Sequence, residues 1–161
     1  MRFAILGSGA IGSYMGASLA RGGADVVVLG VKAYTLPEIA PRLGEVLGDE
    51  TIVLPAQNGV PWWFFQSFGG IHEGTALESV DPGGVVSRSI DPSRVVGCVS
   101  YPAAELEGPG VVRHVEGTRF AIGEPDGAQT DRCRAIADTF AAGGLKCPIE
   151  SRIRDQLWLK L

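Results

Sequence analysis

The sequence predicts an α/β fold, a Rossmann-like doubly wound and mostly parallel sheet with an antiparallel edge. Two observations predict it: short apolar runs of strand length recur along the chain, and a segment with helical spacing follows the first run. That first run, Phe3 to Leu6, is ended by Gly7, which is typical of a strand buried on both faces of a parallel sheet. The length of 161 residues fits one domain, since single domains usually hold about 100–200 residues.

A helix and a second strand follow the first strand. Apolar residues recur at every fourth position after Ala10 and stop at a glycine pair (Ile11, Met15, Leu19; Gly22, Gly23). This spacing predicts a helix, and the run Val26 to Leu29 predicts a second buried strand. The two strands of such a unit are nearly always parallel, with a right-handed crossover.

The junction of Gly30 and Val31 conflicts with the next step of this topology. Gly30 runs directly into Val31-Lys32-Ala33-Tyr34 and then into a helix-like segment, Leu36 to Leu47. A crossover between parallel strands needs about a dozen residues or more, and we find none here. Either the strand bends and ends at Gly30, or a segment is missing between residues 30 and 31, and we favour the missing segment.

The later elements are predicted from periodicity and turn residues. Thr51 to Leu54 is a strand that leads to the turn Gln57-Asn58-Gly59, and Pro61 opens a short aromatic helix, Trp62 to Phe68. Three β-rich runs predict the antiparallel edge: Arg94 to Tyr101, Val111 to Glu116 and Arg119 to Ile122. The chain then continues as a helix, a short strand and a helix capped by Ser151 (Thr130 to Ala142, Lys146 to Ile149, and onwards to Leu161).

Composition narrows the class of function. The 14 Lys and Arg against 18 Asp and Glu leave a net charge of −4, so no overall positive field exists to hold nucleic acid or an anionic membrane surface. Three cysteines without a C-x-x-C spacing argue against a disulfide framework and against a zinc site (Cys98, Cys133, Cys147). With neither a signal peptide nor an apolar run of membrane length, these features favour a cytoplasmic protein that binds no metal.

The motif that carries chemistry lies between the first strand and the first helix. It matches G-x-G-x-x-G and consists of Gly7, Ser8, Gly9, Ala10, Ile11 and Gly12. Gly7 allows a tight turn, Gly9 lets a pyrophosphate approach the backbone, and Gly12 lets helix and strand pack closely. A turn without a ligand is the alternative in a chain of 23 glycines, but the flanking strand and helix favour a dinucleotide.

The residues leave the choice between NAD and NADP open. An acidic residue about 20 positions after the glycines binds the ribose of NAD, whereas a basic residue binds the 2′-phosphate of NADP. The second strand ends in neither, because Gly30 is followed by Val31.

Four segments, in this order, resemble the ketopantoate reductases (2-dehydropantoate 2-reductases). They are the glycine motif, Val31-Lys32-Ala33-Tyr34, Gln57-Asn58-Gly59-Val60, and Arg154 to Leu161 with its Trp158-x-Lys160-Leu161. The resemblance implies NADPH-dependent reduction of a 2-keto acid, ketopantoate to pantoate, in pantothenate and coenzyme A biosynthesis. It implies a dinucleotide-binding domain over residues 1–150 and the start of an inter-domain helix over 151–161. In family members a helical substrate domain follows, and a third strand with a further crossover precedes the Val-Lys-Ala segment.

The resemblance also implies roles for four further residues. Lys32 and Ala103 contact the cofactor, Asn58 contacts both cofactor and substrate, and Lys160 is catalytic and binds the substrate. Lys160 shares one helix face with Ile153 and Leu157, and an ammonium positioned there can polarise a ketone and donate a proton. The residues alone also allow a solvated lysine at 32, an ordinary Asn-Gly turn at 58 and a snorkelling lysine at 160.

Other conspicuous side chains are assigned structural roles. His72 and His114 lack a nucleophile or metal-ligand pattern, and Trp62 to Phe65 are more typical of a core or an interface. The expected partner is a small 2-keto acid, and a homodimer is left open. Two alternatives remain at this stage: another NAD(P)-dependent hydroxyacid dehydrogenase, or a dinucleotide-binding module without catalysis.

Overall fold

The structure is a computed structural model that describes residues 2–7, 9, 25–109 and 111–161. The helix predicted after the first strand lies outside these residues, as do four members of the glycine motif (Ser8, Ala10, Ile11, Gly12).

Three parallel strands form the sheet that carries the N-terminal part of the chain. They are β1 (Arg2–Leu6), β2 (Asp25–Leu29) and β3 (Ile52–Pro55), in the order β1-β2-β3. Leu6 pairs with Leu29, and Leu29 pairs with Pro55, so the carboxyl ends of all three strands meet at one edge. The prediction that β1 is buried on both faces is wrong, since Ala4 is exposed and β1 is the outer strand of the three.

The connection from β2 to β3 is a complete crossover. A 3₁₀ turn (Ala33–Thr35) leads into helix α1 (Leu36–Val46), which returns the chain to β3. The segment that begins at Val31 therefore leads from the end of β2 into the crossover helix, and the expectation that no crossover follows β2 is wrong. A missing segment between residues 30 and 31 stays a prediction without that physical support.

An antiparallel part extends the sheet, as predicted. Strand β4 (Gly97–Ser100) pairs with β7 (Phe120–Gly123), and a parallel bridge between Val53 and Val95 joins this pair to β3. Between them the chain forms a hairpin of β5 (Ala103–Gly108) and β6 (Val111–Glu116). The last predicted strand is reduced to two isolated bridges, Arg119 to Lys146 and Ile122 to Ile149.

Three further α-helices lie in the described part of the chain: α2 (Val85–Ser89), α3 (Asp131–Ala142) and α4 (Ile153–Lys160). Thr130 caps α3 by accepting a hydrogen bond from the Cys133 amide. Ser151 does not cap α4, because the N-cap position is occupied by Arg152, without a side-chain capping bond. The predicted helix from Trp62 to Phe68 is a series of turns, with i to i+3 bonds such as that from the Phe64 amide to Pro61.

The core lies on both faces of the sheet, as a doubly wound fold requires. Residues that alternate along β3 enter different clusters: Ile52 and Leu54 pack on the α3 side, and Val53 packs on the side of α1, α2 and α4. Helix α4 is thus fixed on the second face, close to the ends of β3 and β4. Within the described ranges, no helix has the length and apolar character needed to span a membrane.

Candidate active site

The carboxyl ends of the parallel strands open into a cleft of about 260 Å³. Ligands of open α/β sheets bind at this edge. Predicted site residues line the cleft, as do the strand ends and one hairpin residue (Gly9, Gly30, Val31, Lys32, Ala33, Ala56, Gln57, Asn58, Ala104). Ala104 lines the cleft, whereas the predicted Ala103 is its neighbour on β5.

Two glycines of the motif have opposite surroundings. Gly7 has φ +104°, and a Cβ placed on it would lie 2.8 Å from both the Gly30 carbonyl carbon and the Val31 nitrogen. A side chain is therefore excluded where the ends of β1 and β2 approach each other. A Cβ on Gly9 would meet no atom of the described residues within 4 Å, so none of them blocks the cleft at Gly9. This arrangement fits the expectation that a pyrophosphate approaches the backbone there.

Lys160 lies beside Asn58, although 102 positions separate them in the sequence. The Lys160 Nζ donates a hydrogen bond to Asn58 Oδ1 at 2.5 Å and a second one to the Ser100 carbonyl oxygen. Asn58 follows β3, Ser100 ends β4, and Lys160 ends α4. Three elements thus meet at one amine, which is held by acceptors instead of snorkelling to solvent.

The surroundings of the Lys160 amine lower its pKa, and partial burial is the main cause. Both hydrogen-bond acceptors are neutral oxygens, so neither offers the charge that normally stabilises an ammonium. The Cys98 thiol acts weakly in the opposite direction, but burial raises the pKa of Cys98 itself to about 12. The Lys160 ammonium is therefore a stronger acid than an ordinary lysine side chain.

Buried apolar contacts seat the helix that carries Lys160. Ile153 and Leu157, on the same helix face, are 1% and 6% exposed, which confirms the apolar face that the spacing predicted. Lys160 as a whole residue is exposed, and only its amine reaches inward. The helix therefore packs an apolar face on the core, and its last residue reaches Asn58 at the wall of the cleft.

A polar network that sequence reasoning missed fixes the flank of this helix. The Tyr101 hydroxyl donates to Gln156 Oε1 at 2.9 Å, and Arg119 donates to the same oxygen at 3.0 Å. The Arg119 guanidinium lies 4.6 Å from the centroid of the Tyr101 ring, and the Lys160 Nζ lies 5.9 Å from it. Tyr101 and Gln156 are 55 positions apart, and no local pattern could have linked them.

The remaining candidates are placed as follows. Lys32 is exposed at the wall of the cleft, where its carbonyl oxygen accepts from the amide and hydroxyl of Thr35. Trp62 to Phe64 are buried, which confirms the core assignment for these aromatics. His72 packs on the ring of Phe65 at 5.7 Å, and His114 on β6 contacts the Gly117 carbonyl oxygen at 2.5 Å. No cluster of three or more potential ligand side chains able to hold a metal occurs among the described residues.

Comparisons with known proteins find related sequences and folds. Residues 21–62 match the family model described as ketopantoate reductase PanE/ApbA. The 2-dehydropantoate 2-reductase of Mesorhizobium japonicum is 46% identical over 140 residues, which are 87% of this chain and 43% of that protein. The chain therefore spans less than half the length of this curated relative.

Two solved structures show the same fold. The first, a protein of Ralstonia solanacearum MolK2 provisionally named a ketopantoate reductase, has a TM-score of 0.92 and 32% identity, covering 99% of this chain and 63% of that one. The second is D-mandelate dehydrogenase in a ternary structure with NADH and anilino(oxo)acetate, with a TM-score of 0.77 and 16% identity, covering 99% and 60%.

Proposed function

Because the chain belongs to the ketopantoate reductase family, we propose that it forms the dinucleotide-binding part of a cytoplasmic 2-dehydropantoate 2-reductase. This enzyme uses NADPH to reduce ketopantoate to pantoate, a step of pantothenate and coenzyme A biosynthesis. The observation that carries the proposal is the contact of Lys160 with Asn58 beside a cleft at the strand ends. Ketone reduction needs a hydride donor and a proton donor, and the cleft and the Lys160 amine are the places proposed for them.

The residues at the cleft fit a dinucleotide. Gly9 leaves open space beside the main chain, and the cleft runs from Gly9 past Gly30 to Asn58 along the ends of all three parallel strands. When bound, the nicotinamide cofactor supplies the hydride. The D-mandelate dehydrogenase structure holds NADH, whereas the preference for NADPH in our proposal comes from the family resemblance.

Lys160 and Asn58 act on the keto acid in this proposal. The Lys160 ammonium lies at the junction of three elements, with neutral acceptors, and its lowered pKa favours transfer of its proton to the substrate oxygen. The same positive charge stabilises negative charge that develops on that oxygen. Asn58 holds the amine at the cleft and offers its amide N–H group to substrate or cofactor.

One observation favours a second candidate, a reductase for a different 2-keto acid. The D-mandelate dehydrogenase structure, which holds NADH and anilino(oxo)acetate, shares the fold of this chain. A non-catalytic dinucleotide-binding module is the further alternative, but such a module has no need of an amine with a lowered pKa beside the cleft.

The test uses a protein in which this chain continues into the family's helical domain. NADPH oxidation is followed with ketopantoate and with benzoylformate, the keto acid that corresponds to mandelate. We expect turnover with ketopantoate, a lower kcat/KM with benzoylformate, and a preference for NADPH over NADH. Binding of NADPH without turnover of either acid contradicts the enzyme, and a clear preference for benzoylformate supports the second candidate.

The 161-residue chain alone gives a second comparison. We expect it to bind NADPH but not to reduce ketopantoate, because the family's helical domain orients the keto acid. If the chain alone reduces ketopantoate at a normal rate, the helical domain is not needed to orient the keto acid.

A further inference from the structure

Arg154 on α4 donates to three main-chain oxygen atoms. Its Nε donates to the Phe64 carbonyl oxygen at 2.6 Å, its Nη1 to that of Pro125, and its Nη2 to that of Gln66. A guanidinium presents its N–H groups in a fixed planar fork. This side chain uses the fork to join α4 to two separate segments of the chain.

Aromatic rings line the other side of the Arg154 guanidinium. It lies 5.2 Å from the centroid of Phe68, 5.8 Å from Phe64 and 6.0 Å from Trp63. Burial lowers the pKa of Arg154, and two carboxylates, Glu73 and Asp126, only partly offset this effect through space. A cation is therefore kept in a partly buried place where its acceptors are uncharged, which costs more free energy than an exposed arginine does.

One of the two segments that Arg154 joins to α4 leads directly to the candidate active site. Phe64 and Gln66 belong to the turns that follow Asn58 in the chain, and Pro125 follows β7. Helix α4 carries both Arg154 and Lys160. The contacts of Ile153 and Leu157 hold this helix to the core, but apolar contacts are non-directional and permit small rotations or shifts. Three hydrogen bonds from the rigid guanidinium of Arg154 are directional and therefore oppose such movements of the helix.

We propose that Arg154 is a positioning residue that locks helix α4 to the turns after Asn58 and thereby holds the Lys160 amine against Asn58 and Ser100. This proposal rests on the proposed function only in the purpose that it gives to the contact of Lys160 with Asn58. The lock itself is a property of the described residues. Arg154 touches neither the cleft lining nor the Lys160 amine in the contacts described, so it acts through the helix.

The test is the protonation equilibrium of Lys160, which depends on how the amine is seated. The sequence has three lysines, Lys32, Lys146 and Lys160, so NMR of the lysine Cε groups resolves each of them during a pH titration. The Lys160 signal is assigned by its loss in Lys160→Arg. In the parent chain we expect Lys160 to titrate below about 10.4, the ordinary lysine value.

Two substitutions separate position from charge. Arg154→Met removes the fork and the charge, whereas Arg154→Lys keeps the charge and loses the planar fork. We expect the Lys160 pKa to rise towards about 10.4 in both variants, because the amine loses its position against Asn58 and Ser100 and becomes more exposed to water. If Arg154 acted on Lys160 through its charge alone, the pKa of Lys160 would rise in Arg154→Met but not in Arg154→Lys. The extra signal of the new lysine is recognised by comparison with the parent spectrum.

Arg152→Met is the matched control. Arg152 lies at the start of the same helix, is exposed, and pairs with Asp155 at 2.9 Å, so we expect no change of the Lys160 pKa. The near-ultraviolet circular dichroism of the buried tryptophans shows whether each variant is folded. A folded Arg154→Lys chain with an unchanged Lys160 pKa overturns the proposal. Because neither cofactor nor substrate is present, this result is independent of whether the reductase assay succeeds.

Discussion

The two ends of the candidate site are built by different means. At the glycine end, the main chain at the ends of β1 and β2 lies so close to Gly7 that no side chain fits, whereas no described residue crowds Gly9. At the lysine end, side chains from distant parts of the chain converge on one amine. The first end is specified by a local pattern and the second by tertiary packing, so the two should respond to different perturbations. The glycine end is proposed to bind the cofactor and the lysine end to act on the substrate.

The largest expected effect is at the lysine end. In the protein that includes the helical domain, Lys160→Ala should lower kcat by about 10²-fold to 10⁴-fold, the usual contribution of general acid catalysis, with NADPH affinity nearly unchanged. Steady-state kinetics and a fluorescence titration measure the two quantities. Lys146→Ala, at an exposed lysine outside the site, is the control. An unchanged kcat in Lys160→Ala removes the catalytic role.

At the glycine end, Gly7→Ala should destabilise the fold. A non-glycine residue at positive φ costs about 1–2 kcal/mol, and a forced contact costs about 1–3 kcal/mol, so urea unfolding should show a loss of at least about 2 kcal/mol. Gly9→Ala should change the free energy of unfolding by less than about 0.5 kcal/mol, because its Cβ meets no atom within 4 Å in the described part of the chain. Equal losses in the two variants contradict the contrast between these glycines.

Gly9→Val should affect binding instead of stability. The isopropyl group enters the open space where the pyrophosphate is expected, so NADPH affinity should fall by about tenfold or more, or at least about 1.4 kcal/mol. Fluorescence titration of NADPH measures this, with the unfolding free energy as the control for structure. If Gly9→Val binds NADPH as the parent does, the cofactor does not pass over Gly9.

Asn58→Asp should raise the pKa of Lys160. It replaces a neutral oxygen 2.5 Å from Nζ with a carboxylate, and an opposite charge at such a distance typically shifts a pKa by about 1–3. The parent pKa is lowered, so the alkaline fall in kcat, which follows loss of the ammonium, should move to higher pH in this variant. The pH dependence of kcat and the lysine NMR titration check the same shift. If the alkaline fall in kcat stays at the same pH in Asn58→Asp, residue 58 and Lys160 do not interact in solution.

The smallest expected effect concerns the packing of helix α4 on the core. Ile153→Val removes one methyl group from a side chain that is 1% exposed, which typically costs about 0.5–1.5 kcal/mol. Leu159→Val, at a residue that is 76% exposed, should cost less. Urea unfolding compares the two. If Leu159→Val loses more stability than Ile153→Val, the helix does not pack on the core through Ile153.

The sequence was informative where the determinants are local. The apolar runs located β2 and β3, Thr130 and Gly143 marked the limits of α3, and the glycine motif marked the tight turn. It failed at Trp62 to Phe68, because four consecutive aromatic residues carry no clear helical period. There, Ser67 at φ +51° and Gly69 at φ +77° take the chain out of helical geometry.

Tertiary contacts account for what could not be predicted. The crossover through α1 was not predicted because the step from Gly30 to Val31 was interpreted as a missing segment, and only the pairing of β2 with β3 shows that the helix between them is the crossover. The resemblance identified Asn58 and Lys160, but it did not show that one accepts a hydrogen bond from the other. The contacts of Tyr101 and Arg154 join residues far apart in sequence, and no periodicity encodes such pairs.

The most direct test of the account is an amide NMR titration of the chain with NADPH. The central claim is that the cofactor binds along the ends of the three parallel strands, from Gly9 to Asn58. The signals of Gly9, Gly30 and Ala56 should shift in a saturable way, and those of Gly127 and Gly144, which do not line the cleft, should not. Shifts that are absent at Gly9 and Gly30, or that concentrate elsewhere on the chain, contradict the claim.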